Sequence, residues 1–241
     1  MIIFRKNMQL KNLRDVLKKH AHPEQAKVYL RFFKTGKGEY GEGDQFLGIK
    51  VPISRSIAKQ FKDLSVEEIQ ELLNSKVHEE RLIALFILTE QYRKGDEEKK
   101  NAIYNFYLRN TKRVNNWDLV DLSAEKIIGA YLMDKDKKIL FKLARSKSLW
   151  EKRIAIMSTF QFIKNGMFET TLEISDILLK EEHDLIHKAV GWMLREIGNR
   201  NLVVEELYLK KHYKTMPRTM LRYAIEKFPE NKRQAYLKGS V

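Results

Sequence analysis

Leu82-Ile83-Ala84-Leu85-Phe86-Ile87-Leu88-Thr89 is the stretch on which the reading of the fold turns. Leu82, Leu85, Phe86 and Thr89 recur at helical spacing and share one face, and Ala84 lies mid-helix. Upstream, Ile69, Leu72 and Leu73 mark another such face; downstream, Ile154, Met157 and Phe160–Gln161 mark a third. Start signals flank these runs. Ser65-Val66-Glu67-Glu68 and Asp96-Glu97-Glu98 read as N-caps followed by first-turn carboxylates, and Pro23, Pro52, Pro217 and Pro229 each suit a first helical turn. Strands and hairpins need frequent turn residues, and 4 prolines and 11 glycines in 241 residues are too few for them. The pattern predicts an all-α chain of about a dozen helices.

Ala84 has counterparts. Ala124, Ala155, Ala189 and Ala224 follow at intervals of 40, 31, 34 and 35 residues. Stacked helix pairs repeat every 34 residues or so in one common type and about 40–47 in the HEAT type, and a small residue lets neighbours approach closely. Alanine is common in any helix, yet the recurrence favours a curved solenoid over an irregular bundle. A solenoid has a concave face in which a long charged rod can lie.

Length and a hydrophobic fraction of 43% fit one large domain or a continuous repeat array with a substantial core. No apolar run is long enough to span a bilayer, and Met1-Ile2-Ile3-Phe4-Arg5-Lys6 is too short and too soon charged for a secretory signal, so a cytoplasmic protein without membrane association is expected. Zero cysteines exclude disulfides, zinc ribbons and thiol catalysis. A net charge of +14 points to polyanions, nucleic acid first among them, although a merely lysine-rich protein would carry the same charge.

Residues 35–48, TGKGEYGEGDQFLG, form the one glycine-rich stretch. No Gly-Lys-Ser/Thr follows and no strand precedes, which argues against a nucleotide loop. A mobile connector after the first helix pair is the expectation.

Three segments carry candidate chemistry. In Asn115-Asn116-Trp117-Asp118-Leu119-Val120-Asp121, either asparagine can cap a helix, and Asp118 fits its first turn as a partner of the helix dipole. Trp117 and Asp121 are four apart and share a face; Trp117 is a core residue or a ligand platform. Asp121, set among Leu119, Val120 and Leu122, is either paired or available to a cationic ligand. In Trp150-Glu151-Lys152-Arg153, the arginine is a surface charge or a phosphate clamp. In Lys188-Ala189-Val190-Gly191-Trp192-Met193-Leu194-Arg195-Glu196, a mid-helix glycine costs about 1 kcal/mol relative to alanine, so close approach by a partner or another helix must account for Gly191. His183 and His187 have i,i+4 spacing without the flanking residues of a metal motif, and no Ser–His–Asp pattern is present.

In order and separation these three segments resemble the functional core of the AlkD-like DNA alkylation repair family. Phe46-Leu47-Gly48-Ile49-Lys50-Val51-Pro52 followed by Arg55 resembles its early segment, and the likeness runs from about residue 20 to residue 230. The resemblance implies a right-handed superhelical solenoid of HEAT-like antiparallel helix pairs with a concave basic cleft, as a single domain over residues 1–241. It implies a glycosylase that hydrolyses the N-glycosidic bond of N3- and N7-alkylated purines, with double-stranded DNA carrying such cationic bases as the partner. By motif, Asp121 is the catalytic carboxylate, Trp117 and Trp192 are the aromatic groups beside the lesion, and Arg153 contacts DNA. Lys152, Lys188, Arg195, Lys50, Arg55 and Phe32 complete the expected DNA-binding set. Members of the family hold the lesion without a base-enclosing pocket. No metal or other cofactor is implied, and a cleft for one duplex suits a monomer.

The chain departs from the family at one point. A tyrosine early in the family's aromatic cluster is matched here by Phe32, with Tyr29 three residues before it. A helical array that binds nucleic acid without catalysis, and a protein-interaction scaffold, are the alternatives to the enzyme.

Overall fold

The computed structural model describes the backbone of residues 2–241 and side chains from Met8 onward. The described residues are helical with no named strand; a single parallel bridge joins Gln45 to Val77. The chain divides into two compact units, Met1–Ser123 and Ala124–Val241.

In the first unit, α1 (Ile2–His20) buries Leu10, Leu13 and Leu17, a stripe three and four residues apart. The short α2 (Pro23–Phe32) has no buried residue; the His22 ring caps it by accepting the Gln25 N–H. Helix α3 (Val51–Gln60) buries Ser54, Ile57 and Ala58. Helix α4 (Val66–Leu73) opens on the expected N-cap Ser65, which closes a capping box with Glu68, and buries Ile69, Leu72 and Leu73.

At the centre is α5 (His78–Lys94), packed on α3, α4 and α6 (Glu97–Arg109). The sequence pattern gave it one apolar face. The structure buries every residue from Leu82 to Leu88, because neighbours surround the helix and leave it no solvent side. Helix α6 is capped by Asp96 as expected. A 3₁₀ turn (Thr111–Arg113) leads to α7 (Trp117–Asp121).

The second unit begins with a π-helix (Glu125–Gly129), then α8 (Lys138–Ala144), α9 (Leu149–Ser158), α10 (Phe160–Lys164) and α11 (Glu169–Leu178). Its central helix is α12 (Asp184–Gly198), packed on α9, α11, α13 (Leu202–His212) and α14 (Arg218–Ala224); α15 (Glu230–Lys238) closes the chain. The glycine in α12 has an internal explanation. A Cβ on Gly191 would lie 2.4 Å from the Met220 carbonyl oxygen and 2.5 Å from the Tyr223 Cβ, so α14 crosses at backbone contact. Of the two causes that sequence left open for Gly191, a neighbouring helix is the one found.

The recurring alanines are all fully buried, which agrees with their use as close-packing positions. Ala84, Ala155 and Ala189 lie inside helices, whereas Ala124 precedes the π-helix and Ala224 ends α14. Pro23 and Pro52 occupy first turns as expected; Pro217 and Pro229 stand one step earlier, as N-caps.

The glycine-rich segment is not a loose connector throughout. Its second half is fastened to the start of α5. The Glu79 carboxylate, 1% exposed, accepts the backbone N–H groups of Leu47, Gly48 and Ile49 at 2.8–3.2 Å. Gly48 has φ +82°, and a Cβ there would meet the His22 carbonyl at 2.2 Å, so α2 begins directly against it. A mobile loop would leave those three donors to water; a buried carboxylate holds them instead.

Candidate active site

Helix α7 is five residues long and cannot stabilise itself, since so short a helix closes few internal hydrogen bonds. It is held from outside. The fully buried Asn116 caps it, its Oδ1 accepting the Trp117 N–H at 2.8 Å. Asp118, Leu119 and Val120 face inward. Trp117 and Asp121, one turn apart, are both half-buried on the remaining side. The charge of Asp121 is felt by the buried Tyr107, whose hydroxyl pairs with the Ser123 hydroxyl at 2.9 Å; burial raises the Tyr107 phenol far above its ordinary value.

Asp118 does more than meet the helix dipole. It is 5% exposed, its Oδ1 accepts the Leu119 N–H at 2.9 Å, and its Oδ2 accepts from His78 Nε2 at 2.8 Å. The other ring nitrogen of His78 faces Asp44 Oδ2 at 3.2 Å. Arg81 donates to Asp44 Oδ1 at 2.7 Å and to the Ser75 carbonyl at 3.0 Å. Burial alone would lower the pKa of His78, but the charge and hydrogen bond of Asp118 and the hydrogen bond of Asp44 outweigh it and raise it to about 9. Asp44 is likewise pushed up by burial, yet His78 and Arg81 bring it below the usual carboxylate range. The result is two carboxylates and two cations in the interior, mutually neutralised.

Rings cover this cluster. Trp117 lies parallel to Phe33 with centroids 5.3 Å apart, Phe33 parallel to Phe46 at 4.9 Å, and Phe46 on His78 at 4.6 Å. Tyr29 meets Phe33 and Phe46 edge-on, each at 5.8 Å. Phe32, 60% exposed, meets the Trp117 ring edge-on at 5.7 Å, so two of the expected site residues adjoin. Lys50 is exposed at the N-cap of α3, and Arg55 is exposed with its guanidinium 4.4 Å above the Phe86 ring.

The remaining expected residues belong to the second unit. Arg153 on α9 is no surface charge. It is 5% exposed, and its guanidinium donates to the Leu185 carbonyl of α12. Lys152 beside it pairs with Glu181 at 2.6 Å. On α12, Trp192 donates its indole N–H to Glu196 at 3.2 Å and lies 6.1 Å from the Phe160 ring. Burial raises Glu196, but Arg200 and the Trp192 N–H bring it below its ordinary value. Lys188 pairs with Asp184 at 2.6 Å, and Arg195 with Glu226. His183 caps α12, and His187 faces the Glu181 carbonyl.

Sequence reasoning passed over His78, Glu79 and Arg81. A signal was available. His78-Glu79-Glu80-Arg81 runs directly into the apolar stretch from Leu82, so its charges stand on faces that the following residues bury. All four are under 8% exposed.

Among the described residues, no group of His, Asp and Glu side chains is arranged to hold a metal ion, and no helix is long and apolar enough to cross a membrane. A search of curated proteins finds no match. Among solved structures, one described as a predicted DNA alkylation repair enzyme from Enterococcus faecalis is similar, with a TM-score of 0.67, 16% identity, and coverage of 88% of this chain and 98% of that chain. At that identity the likeness is one of fold. The family model described as DNA alkylation repair enzyme matches residues 13–228, nearly the whole chain. This chain belongs to the DNA alkylation repair enzyme family.

Proposed function

We propose that this protein is a DNA glycosylase that hydrolyses the N-glycosidic bond of N3- and N7-alkylated purines in duplex DNA. The observation that carries the reading is α7, a short helix built on buried charges that sets an aspartate and an indole side by side, half-exposed, in a chain of this family. Such a pairing suits a cationic lesion. Alkylation makes the base positively charged and a good leaving group. The bond from C1′ of the sugar to the base nitrogen breaks with both electrons leaving on the base, whose charge is thereby neutralised.

The sugar left behind is oxocarbenium-like, as in glycoside hydrolysis. Asp121 stabilises that cation and takes a proton from the water whose oxygen bonds to C1′. The products are a neutral free base and an abasic site, and no acid need protonate the leaving group. The face of the Trp117 indole favours the cationic base, by about 0.5–2 kcal/mol.

Arg153, Lys152, Lys188, Arg195, Lys50 and Arg55 supply phosphate contacts, and Phe32 extends the aromatic surface. The pairs that hold Lys188 and Arg195 are partly solvated and worth about 0–1 kcal/mol each, so a phosphate can replace either carboxylate at little cost. Arg153, 5% exposed and donating to the Leu185 carbonyl, offers a phosphate no more than the solvent edge of its guanidinium. The protein would work as a monomer on one duplex, in the cytoplasm, without a cofactor.

A duplex carrying one 7-methylguanine, incubated with excess protein and then cleaved with alkali at abasic sites, tests the reading. The parent protein releases the base. Asp121→Asn folds and binds duplex as the parent does but releases base about 10²–10³-fold more slowly. Absence of abasic product from the parent at enzyme excess, or an Asp121→Asn protein as fast as the parent, overturns the proposal. Salt-sensitive duplex binding without base release would leave a nucleic-acid-binding protein without catalysis.

A further inference from the structure

We infer that His78 is a positioning residue for the catalytic turn, acting through Asp118 on the α7 backbone and through the stacked rings on Trp117. The inference rests on the glycosylase reading for its kinetic consequence, but its geometry stands independently. Helix α7 is held by two side-chain attachments near its start, the Asn116 cap and the Asp118–His78 hydrogen bond of 2.8 Å. Both lead to the same place. Asn116 Nδ2 also donates to Asp44 Oδ2 at 3.4 Å, and that oxygen is the one facing His78 Nδ1. Asp44 from the glycine-rich segment, His78 and Arg81 from α5, Asn116 capping α7 and Asp118 within it thus close one buried polar ring.

The charged groups facing His78 are Asp44, Asp118 and Arg81. With a carboxylate on each ring nitrogen, both nitrogens donate and the imidazole is cationic. The second attachment is through the rings. Phe46, two residues beyond Asp44, stacks on His78 and on Phe33, and Phe33 stacks on Trp117. His78 therefore sets both the start of the helix that carries Asp121 and the plane of the indole beside it. It is 2% exposed, so it acts through these partners rather than by direct contact with a bound duplex. The glycine-rich segment acquires a purpose by the same route: it delivers Asp44 and Phe46 to this hub.

Two amide replacements separate the arms. The amide nitrogen of asparagine falls near the position of Nδ1, and that of glutamine near Nε2. His78→Asn therefore keeps the Asp44 arm and drops Asp118, whereas His78→Gln keeps Asp118. Single-turnover release of 7-methylguanine is measured beside the dissociation constant for undamaged duplex. A misplacement on the order of 1 Å slows such a step by about 10²-fold. His78→Asn is expected to show that loss with unchanged duplex affinity, and His78→Gln to remain within about tenfold of the parent. A general loss of packing would slow both alike.

The same substitutions in a Trp150→Phe, Trp192→Phe background leave Trp117 as the sole indole. There both variants remove the imidazole on which Phe46 stacks, so both shift the emission and acrylamide quenching of Trp117, and His78→Asn, which also loses the Asp118 hydrogen bond, shifts them further. If His78→Asn fails to fold, Asp118→Asn replaces it, with the same losses expected. Equal base release by the two His78 variants, or a His78→Asn protein as fast as the parent, overturns the inference. If the parent itself releases no base, the glycosylase reading fails, and the Trp117 spectra still decide: identical spectra for both variants and the parent overturn the role of His78.

Discussion

Replacing Gly191 by alanine sets two effects of opposite sign against each other. Helix propensity favours the alanine by about 1 kcal/mol at a mid-helix site. Sterics oppose it. The new methyl would lie 2.4 Å from the Met220 carbonyl oxygen, 2.5 Å from Tyr223 Cβ and 3.2 Å from the Ala224 nitrogen. Ordinary contact begins near 3.5 Å, so α14 must retreat from α12 by about 1 Å. Two of those atoms are backbone and cannot rotate away. The retreat also loosens contacts around Val190, Met193, Met220 and Ala224, all fully buried. Overpacking of this kind costs about 1–3 kcal/mol. Taking the upper half of that range and subtracting the propensity gain leaves a net loss of about 1–2 kcal/mol, or about 3–6 °C in melting temperature for a chain of this size. Thermal and urea denaturation followed by circular dichroism give the sign directly. A Gly191→Ala protein that melts at or above the parent temperature would refute the claim that helix contact, rather than an external partner, explains this glycine. Because Trp192 is the next residue, the same shift moves its ring, and base release should fall with stability.

Other predictions follow from the buried carboxylates. Glu79→Gln turns an acceptor of three backbone N–H groups into a side chain that also presents donors to them. It should cost about 1.5–3 kcal/mol and abolish hydrogen-exchange protection of the Leu47, Gly48 and Ile49 amides; unchanged protection would show that the segment is held by something else. Glu205 is 1% exposed, one of its oxygens has no hydrogen-bond partner, and burial pushes its pKa up to about 8. The folded protein therefore holds a proton that the unfolded chain releases near pH 4.5, so stability falls as pH rises from there towards 8. Glu205→Gln removes that dependence and should stabilise the protein by about 2–4 kcal/mol more at pH 8.5 than at pH 4.5. An equal effect at both pH values would contradict the assignment.

Local signals were read well from the sequence. Ser65 and Asp96 cap the helices they were expected to cap, and the recurring alanines are buried. Trp117 and Asp121 share the open side of α7 because four-residue spacing decides that whatever surrounds the helix. What the sequence did not disclose was partnership at a distance. Asp118 looked sufficient as a dipole partner, and its true neighbour stands 40 residues upstream; Asp44 reaches His78 over 34 residues, and Arg14 reaches Glu80 over 66. No periodicity encodes such pairs. The central position of α5 was hidden for a related reason, since a run of seven apolar residues has no polar face to give it a period. Arg153 followed the same rule in reverse: a charge in a polar-looking triplet proved to be interior, because the Leu185 carbonyl was waiting for it on another helix.

Helix α2 contributes no residue to the core, and Phe32, with Val28 and Leu30, stands in solvent. Exchanges at such positions cost a fold little, within about 0.5 kcal/mol. The side chains that suspend α7 are interior and paired, so an exchange there is severe. Within this unit, what adjoins the Trp117 indole and what keeps that indole in place are set by separate residues. Under the proposed function, drift along the outside of α2 would alter the surface beside the Trp117 indole while leaving the support of α7 intact.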